Sequence, residues 1–185
     1  MDIFDKAIVF ATKAHSGGLR KGTNTPYITH PMEVAAIVAT MTDDKDILAA
    51  AILHDTVEDT EKTIDDIRGE FGEKIARLVA TESENKRDNL PPEATWKIRK
   101  QETLNHLKSA TKEEKMITLG DKLSNIRAIY RDYSTIGDEL WKRFNQKDKS
   151  EHAWYYKTIA ELLSELNSTF AYKEYVELVN KVFDK

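Results

Sequence analysis

The chain has 185 residues, 40% of them hydrophobic and 32% charged, which is enough apolar mass for one sizeable core and little for a second. A net charge of -4 excludes the global basic footprint that grips duplex nucleic acid. Cysteine is absent, which excludes disulfides, thiolate metal ligands and cysteine nucleophiles and leaves any metal to nitrogen and oxygen donors. Met1-Asp-Ile-Phe-Asp-Lys reads as an amphipathic helix start rather than a signal peptide, and no apolar run approaches membrane length, so a cytoplasmic protein with no membrane partner is expected.

Ile3, Ala7, Phe10, Ala11 and Ala14 recur at helical spacing and predict a first helix that stops at Gly17-Gly18. A Gly/Thr/Asn/Pro-rich loop opening with Leu19-Arg20-Lys21-Gly22 then runs to Pro31. That proline suits the first turn of a second helix, where the donor it lacks has no partner, and Met32, Val34, Ala35, Ile37 and Val38 carry the helix on. Thr42-Asp43-Asp44 reads as a turn and cap before a third helix, which the apolar run Ile47 to Leu53 carries through His54-Asp55 and Glu58-Asp59. Thr63 caps a short helix through Arg68, and Phe71 to about Glu84 forms another, interrupted at Gly72.

Ser83 to Pro92 is the longest polar stretch and reads as a surface loop. Pro91-Pro92 leads a long helix through His106, apolar at Trp96, Ile98, Leu104 and Leu107. Its charges Lys97, Arg99 and Lys100, with Lys86 and Arg87 before them, read as a solvated face. Lys112 to Asp132 follows, and helices near 137–144, 149–166 and 169–183 complete the chain. With no alternating strand, the expected fold is an all-α bundle of about eight to ten helices.

Chemistry concentrates at a few places far apart in the chain. In Ile52-Leu-His54-Asp55-Thr-Val-Glu58-Asp59, four polar groups interrupt an apolar helix, and burying them costs several kcal/mol each unless they are paired or bound to a cation. His54 with Glu58 and Asp55 with Asp59 are i,i+4 pairs, expected to share faces of one helix. His30 stands in Tyr27-Ile-Thr-His-Pro-Met, and Asp121 and Asn125 in Leu119-Gly-Asp-Lys-Leu-Ser-Asn-Ile-Arg, four residues apart and facing the same way. Two imidazoles and two carboxylates leave open positions on a six-coordinate divalent ion, and such a set suits manganese, iron or zinc.

The order His30, His54-Asp55, Asp121 resembles the ligand pattern of the HD-domain metal phosphohydrolases. Arg20-Lys21 upstream of Pro26-Tyr27-Ile-Thr-His30-Pro31, the string Leu53 to Thr60, and Asp121 to Arg127 are more specifically similar to the alarmone hydrolases of the RelA/SpoT type. The resemblance spans roughly residues 3 to 165 and fits a small, single-domain alarmone hydrolase. On that reading residues 1–185 form one HD phosphohydrolase domain, with a motif core at 20–130 and C-terminal helices at 134–185.

The resemblance implies a metal-dependent 3′-pyrophosphohydrolase acting on guanosine tetra- and pentaphosphate and giving pyrophosphate with GDP or GTP. It implies His30, His54, Asp55 and Asp121 as metal ligands, manganese as the ion, and Glu58 and Asp59 as the groups that handle the attacking water. Arg20, Lys21 and Asn125 are implied as nucleotide contacts, with Lys86 and Tyr155 as further substrate contacts. The chain departs from the family pattern in three places. The loop Gly22-Thr-Asn-Thr25 is one residue longer, Glu82-Ser-Glu-Asn-Lys86-Arg87 differs in composition, and Gly120 stands where alanine is expected.

Blander assignments compete with several of these. Glu58-Asp59 also reads as an acidic surface turn, Tyr155 between Trp154 and Tyr156 as core, and His15, His106 and His152 as structural histidines without a role. Two other functions stay open, hydrolysis of a different phosphorylated nucleotide or dinucleotide, and a non-catalytic nucleotide sensor. A sensor is expected to have lost a ligand or the Glu-Asp pair, and both are intact.

Overall fold

The computed structural model describes residues 1–87 and 89–184. The described residues form helices α1 (Ile3–Ala14), α2 (Thr29–Val38), α3 (Lys45–Leu53), α4 (Thr56–Asp59), α5 (Ile64–Phe71), α6 (Glu73–Glu82), α7 (Pro92–Leu107), α8 (Lys112–Ile136), α9 (Lys149–Leu162) and α10 (Phe170–Phe183), with 3-10 turns at Gly137–Arg143 and Ser164–Leu166. Among them the β-type pairing is one isolated bridge, Leu19 to Pro26, so the chain is all-α as expected. No helix among the described residues is long and apolar enough to cross a membrane.

Local chemistry explains most boundaries. Asp44 caps α3 by accepting the Asp46 N–H at 2.9 Å. Thr63 and Asp66 form a reciprocal capping box at the start of α5. Gly72, at φ 85°, separates α5 from α6 in a conformation that a side chain would strain. Pro92 opens α7 at its first position.

Two compact units result. The first comprises residues 1–83 and 112–121. Here α1, α2 and α6 all pack on α3, and α5 packs on α6. Ala49, Ala50, Ala51 and Leu53 are wholly inaccessible, so α3 is apolar around its circumference, as a central helix must be. Its small side chains let three neighbours approach its backbone closely.

The second unit comprises residues 84–111 and 122–185, with α9 between α7 and α10. Tyr175, fully buried, donates to the Tyr156 carbonyl at 2.9 Å. His152 is structural, its Nε2 bonded to the Gln146 carbonyl at 2.8 Å and its ring packed against Trp96, Trp141 and Phe144. At Glu84 the expected surface loop departs from what its composition suggests. Glu84 turns inward to meet Arg99 at 2.7 Å, Lys100 at 2.8 Å and the Thr103 hydroxyl at 3.1 Å. Burial alone would raise its pKa, but Lys100, Lys122 and Arg99 hold it below the ordinary carboxylate value. Arg99 and Lys100 are therefore not a wet face. Ile98, one of the apolar positions of α7, is 48% exposed.

Gly120, one residue before Asp121, has a packing reason. A Cβ there would lie 2.8 Å from Val38 Cγ2 and 3.2 Å from the Val34 carbonyl, so α2 and α8 approach too closely for alanine. Gly120→Ala gains about 1 kcal/mol of helix propensity but incurs an overpacking cost of about 1–3 kcal/mol. A net loss of stability is expected, read as a lower urea midpoint with an unchanged slope. A raised midpoint would show that α2 yields to the methyl group.

Candidate metal centre

His30, His54, Asp55 and Asp121 all belong to the first unit, and α2, α3 and α8 bring them together. His30 lies in the first turn of α2 and Asp121 lies midway along α8; both are buried. His54 and Asp55 occupy a break. The expected helix through residues 47–59 ends at Leu53 and resumes as the four-residue α4, so the predicted i,i+4 face-sharing on one continuous helix is not what forms. The His54 side chain folds back onto α3 at this break. Its Nδ1 sits 2.8 Å from the Ala51 carbonyl, the acceptor an uninterrupted helix would offer to the Asp55 N–H.

That bond decides what His54 can do. With Nδ1 donating to a carbonyl, the neutral ring presents the Nε2 lone pair. Nε2 is buried and has no hydrogen-bond partner, although Asp55 Oδ2 is 3.1 Å away and Asp121 Oδ1 is 3.8 Å away. His30 Nε2 lies 3.1 Å from Asp121 Oδ1 and 3.5 Å from Asp55 Oδ2. Donors about 2.0–2.2 Å from one ion are separated by roughly 3–4.4 Å, so these spacings fit a shared divalent cation. His30, His54 and Asp121 form the tightest set, with ligand atoms within 4.8 Å of one another. Asp55 flanks that set, against both imidazoles.

The electrostatics ask for a cation. Burial pulls His54 down, but Asp55, Asp121 and Glu82 outweigh it and push the imidazole up to about 10. Burial pushes Asp55 the other way, upward, and the imidazoles of His54 and His30 overcome this and hold it well below the carboxylate range. The metal-free site therefore keeps a proton on His54 that a divalent ion can replace.

Asp59 joins this group through a residue the sequence reading did not single out. The Tyr27 hydroxyl lies 2.6 Å from Asp55 Oδ2 and 2.8 Å from Asp59 Oδ2. Burial, then Asp55 and Asp59, raise its pKa far above the ordinary phenol value, so it remains a donor. Arg20 stands over the same ring, its guanidinium carbon 5.8 Å from the centroid. The loop that follows Arg20 is held by local hydrogen bonds. The Arg20 N–H donates to the Thr25 carbonyl at 2.8 Å, and the Thr23 hydroxyl donates to the Arg20 carbonyl at 3.0 Å.

Lys21 is exposed on that loop, and Glu58 is half-buried on α4. Lys86, Asn125 and Tyr155 belong to the second unit. Tyr155 is 3% exposed, with Lys100 and Lys122 over its ring at 5.1 and 5.9 Å and its hydroxyl buried without a hydrogen-bond partner.

The HD-domain family model matches residues 7–148. The chain belongs to the HD-domain family. It is 33% identical over 129 residues to the Danio rerio guanosine-3′,5′-bis(diphosphate) 3′-pyrophosphohydrolase MESH1, covering 68% of this chain and 68% of that protein. It is 35% identical over 128 residues to the guanosine-3′,5′-bis(diphosphate) 3′-pyrophosphohydrolase of Aquifex aeolicus, a longer protein of which it covers 17%. In fold it is similar, with a TM-score of 0.77 at 23% identity, to a metazoan ortholog of SpoT described as hydrolysing ppGpp, over 98% of this chain and 95% of that one.

A pH dependence follows from the His54 shift. The imidazole titrates near 6.5 when unfolded and is pushed up to about 10 when folded, so in metal-free protein its contribution is complete below about 6.5 and is lost as pH rises toward 10. An added divalent ion displaces the proton, so the ion-induced rise in melting temperature should be larger at pH 8.5 than at 6.5. His54→Ala should abolish the ion-induced rise at both. A gain independent of pH and of His54 would place the ion elsewhere.

Proposed function

We propose that the chain is a metal-dependent 3′-pyrophosphohydrolase of guanosine tetra- and pentaphosphate, releasing pyrophosphate and GDP or GTP. The observation that carries this reading is the gathering of His30, His54 and Asp121, whose ligand atoms lie within 4.8 Å of one another, with Asp55 3.1–3.5 Å from both imidazoles and tied to Asp59 through Tyr27. The substrate is inferred from the printed activity of the two hydrolases named above. We place the enzyme in the cytoplasm and treat residues 1–185 as one HD phosphohydrolase domain, in keeping with a likeness of fold that extends over 98% of the chain.

In this proposal His30, His54, Asp55 and Asp121 hold the ion; the mixed nitrogen and oxygen set suits manganese, iron or zinc alike, and manganese is chosen on the resemblance to the alarmone hydrolases. A bound ion supplies Lewis-acid polarisation of the phosphoryl group. Glu58 and Asp59 orient the attacking water and take its proton as its oxygen bonds to the phosphorus nearest the ribose. The bond from that phosphorus to the 3′ oxygen breaks, and the proton taken from the water passes to the 3′ oxygen, which leaves as a hydroxyl. Arg20, over Tyr27, offers a planar cation to phosphate or purine, and Lys21 beside it offers a point charge. Lys86, Asn125 and Tyr155 are assigned to substrate contact on the sequence motifs alone.

Purified metal-free protein given manganese and guanosine tetraphosphate should release intact pyrophosphate. Stepwise orthophosphate would mark a phosphomonoesterase and overturn the assignment, and binding without turnover would mark a sensor. Glu58→Gln and Asp59→Asn should each lower kcat by about 10²–10⁴-fold with metal content unchanged. Near-wild-type turnover in both would return the pair to an acidic surface turn.

A further inference from the structure

Tyr27 has no place in the proposed roles above, yet its hydroxyl contacts both Asp55 and Asp59. It stands 2.6 Å from Asp55 Oδ2 and 2.8 Å from Asp59 Oδ2. A phenol has one proton for these two carboxylates. Held between them, that proton offsets the repulsion of two like charges on successive turns and gives both side chains a common anchor. The anchor comes from outside their own helix, 28 and 32 residues back in the chain.

The Asp55 oxygen involved is the one that faces the metal-binding imidazoles. Oδ2 lies 3.1 Å from His54 Nε2 and 3.5 Å from His30 Nε2, so the same bond that holds Asp59 also sets the aim of Asp55. The Tyr27 ring is itself fixed. Its backbone N–H donates to the Gly18 carbonyl at 2.9 Å, and its ring lies 4.9 Å from the buried His15 ring, tilted by 30°. A Cβ on Gly18 would come within 3.4 Å of Tyr27 Cβ and 3.2 Å of the His15 carbonyl, so glycine at 18 permits this close seating.

We propose that Tyr27 is a positioning residue for the reaction, its hydroxyl holding the Asp59 carboxylate in register with the ligand Asp55. This rests on the assignment of Asp55 to the ion and Asp59 to the water. Tyr27 acts through these two groups and needs no contact with substrate. Its removal therefore lowers turnover and weakens the ion's hold while leaving substrate affinity in place.

The test is a double-variant cycle of Tyr27→Phe with Asp59→Asn, alongside calorimetric titration with manganese alone. Phenylalanine keeps the ring and loses only the hydroxyl. Tyr27→Phe should lower kcat by about 10–100-fold and manganese affinity by up to about tenfold, with one ion still bound and KM within about twofold. In the Asp59→Asn background the further loss in kcat from Tyr27→Phe should be under about threefold, because the group it positions is already gone. 3-Fluorotyrosine at position 27 keeps the hydroxyl and should restore both readouts, which excludes a ring-packing effect.

A fully multiplicative loss in the double variant, or a raised KM with unchanged kcat, overturns the proposal. If the wild type binds manganese but hydrolyses no guanosine polyphosphate, the functional reading fails by itself. Tyr27 is then judged by manganese affinity in Tyr27→Phe: weaker binding supports the positioning role, and unchanged binding sinks it.

Discussion

The Ala51 carbonyl has two claimants, the N–H of Asp55 in a helix that would run on and the imidazole of His54, which sits on it at 2.8 Å. The bond to the imidazole, worth about 1 kcal/mol net, fixes the tautomer and direction of a buried ring, leaving Nε2 among carboxylates with no partner of its own. The helix break then turns Asp55 toward both imidazoles and starts α4 on a new path, where Asp59 meets Tyr27. An uninterrupted helix would carry the same residues and lose this geometry.

Charge accounts for why such a site holds together only around a cation. Asp55, Asp121 and Glu82 act together on His54, and with a proton there the metal-free chain meets part of their demand. Leaving carboxylates buried with no cation would cost several kcal/mol each. A divalent ion satisfies the same demand with twice the charge, and the affinity for it is the free energy by which it exceeds the proton. The apolar mass of α3, with its inaccessible alanines, keeps water from dissipating this field.

Elements whose cause is local were legible in the sequence: the Asp44 and Thr63 caps, the break at Gly72 and Pro92 at the head of α7 each follow from one residue's own chemistry. The candidate ligand set came from the resemblance to the HD-domain pattern, and the need of His54 and Asp55 for compensation in an apolar frame pointed the same way. The break at His54 was not, since a side chain folding onto its own helix leaves the apolar spacing unchanged. Tyr27 was missed although it sits in a motif the sequence reading used, because a tyrosine in a polar loop is ordinary until its hydroxyl is seen between two acids. Glu84 was taken for loop solvent exposure, as its three partners Arg99, Lys100 and Thr103 lie 15–19 residues further on. Gly120 was visible as a departure, but its reason lies in Val34 and Val38 of another helix.

Division of labour within the chain follows from where the residues fall. All four candidate ligands, Asp59 and Tyr27 belong to the first unit, so their mutual geometry is set by the packing of α2, α3 and the first part of α8. Phosphoester hydrolysis asks little of such a site beyond a polarising ion and an oriented water, and neither distinguishes one nucleotide from another. Selectivity has to come from groups that are not ligands. Arg20 is such a group, and the first unit ties it to the site through the ring of Tyr27. Tyr27 thus stands where recognition meets chemistry, its ring facing the cation that would read the nucleotide and its hydroxyl facing the acids that would act on it.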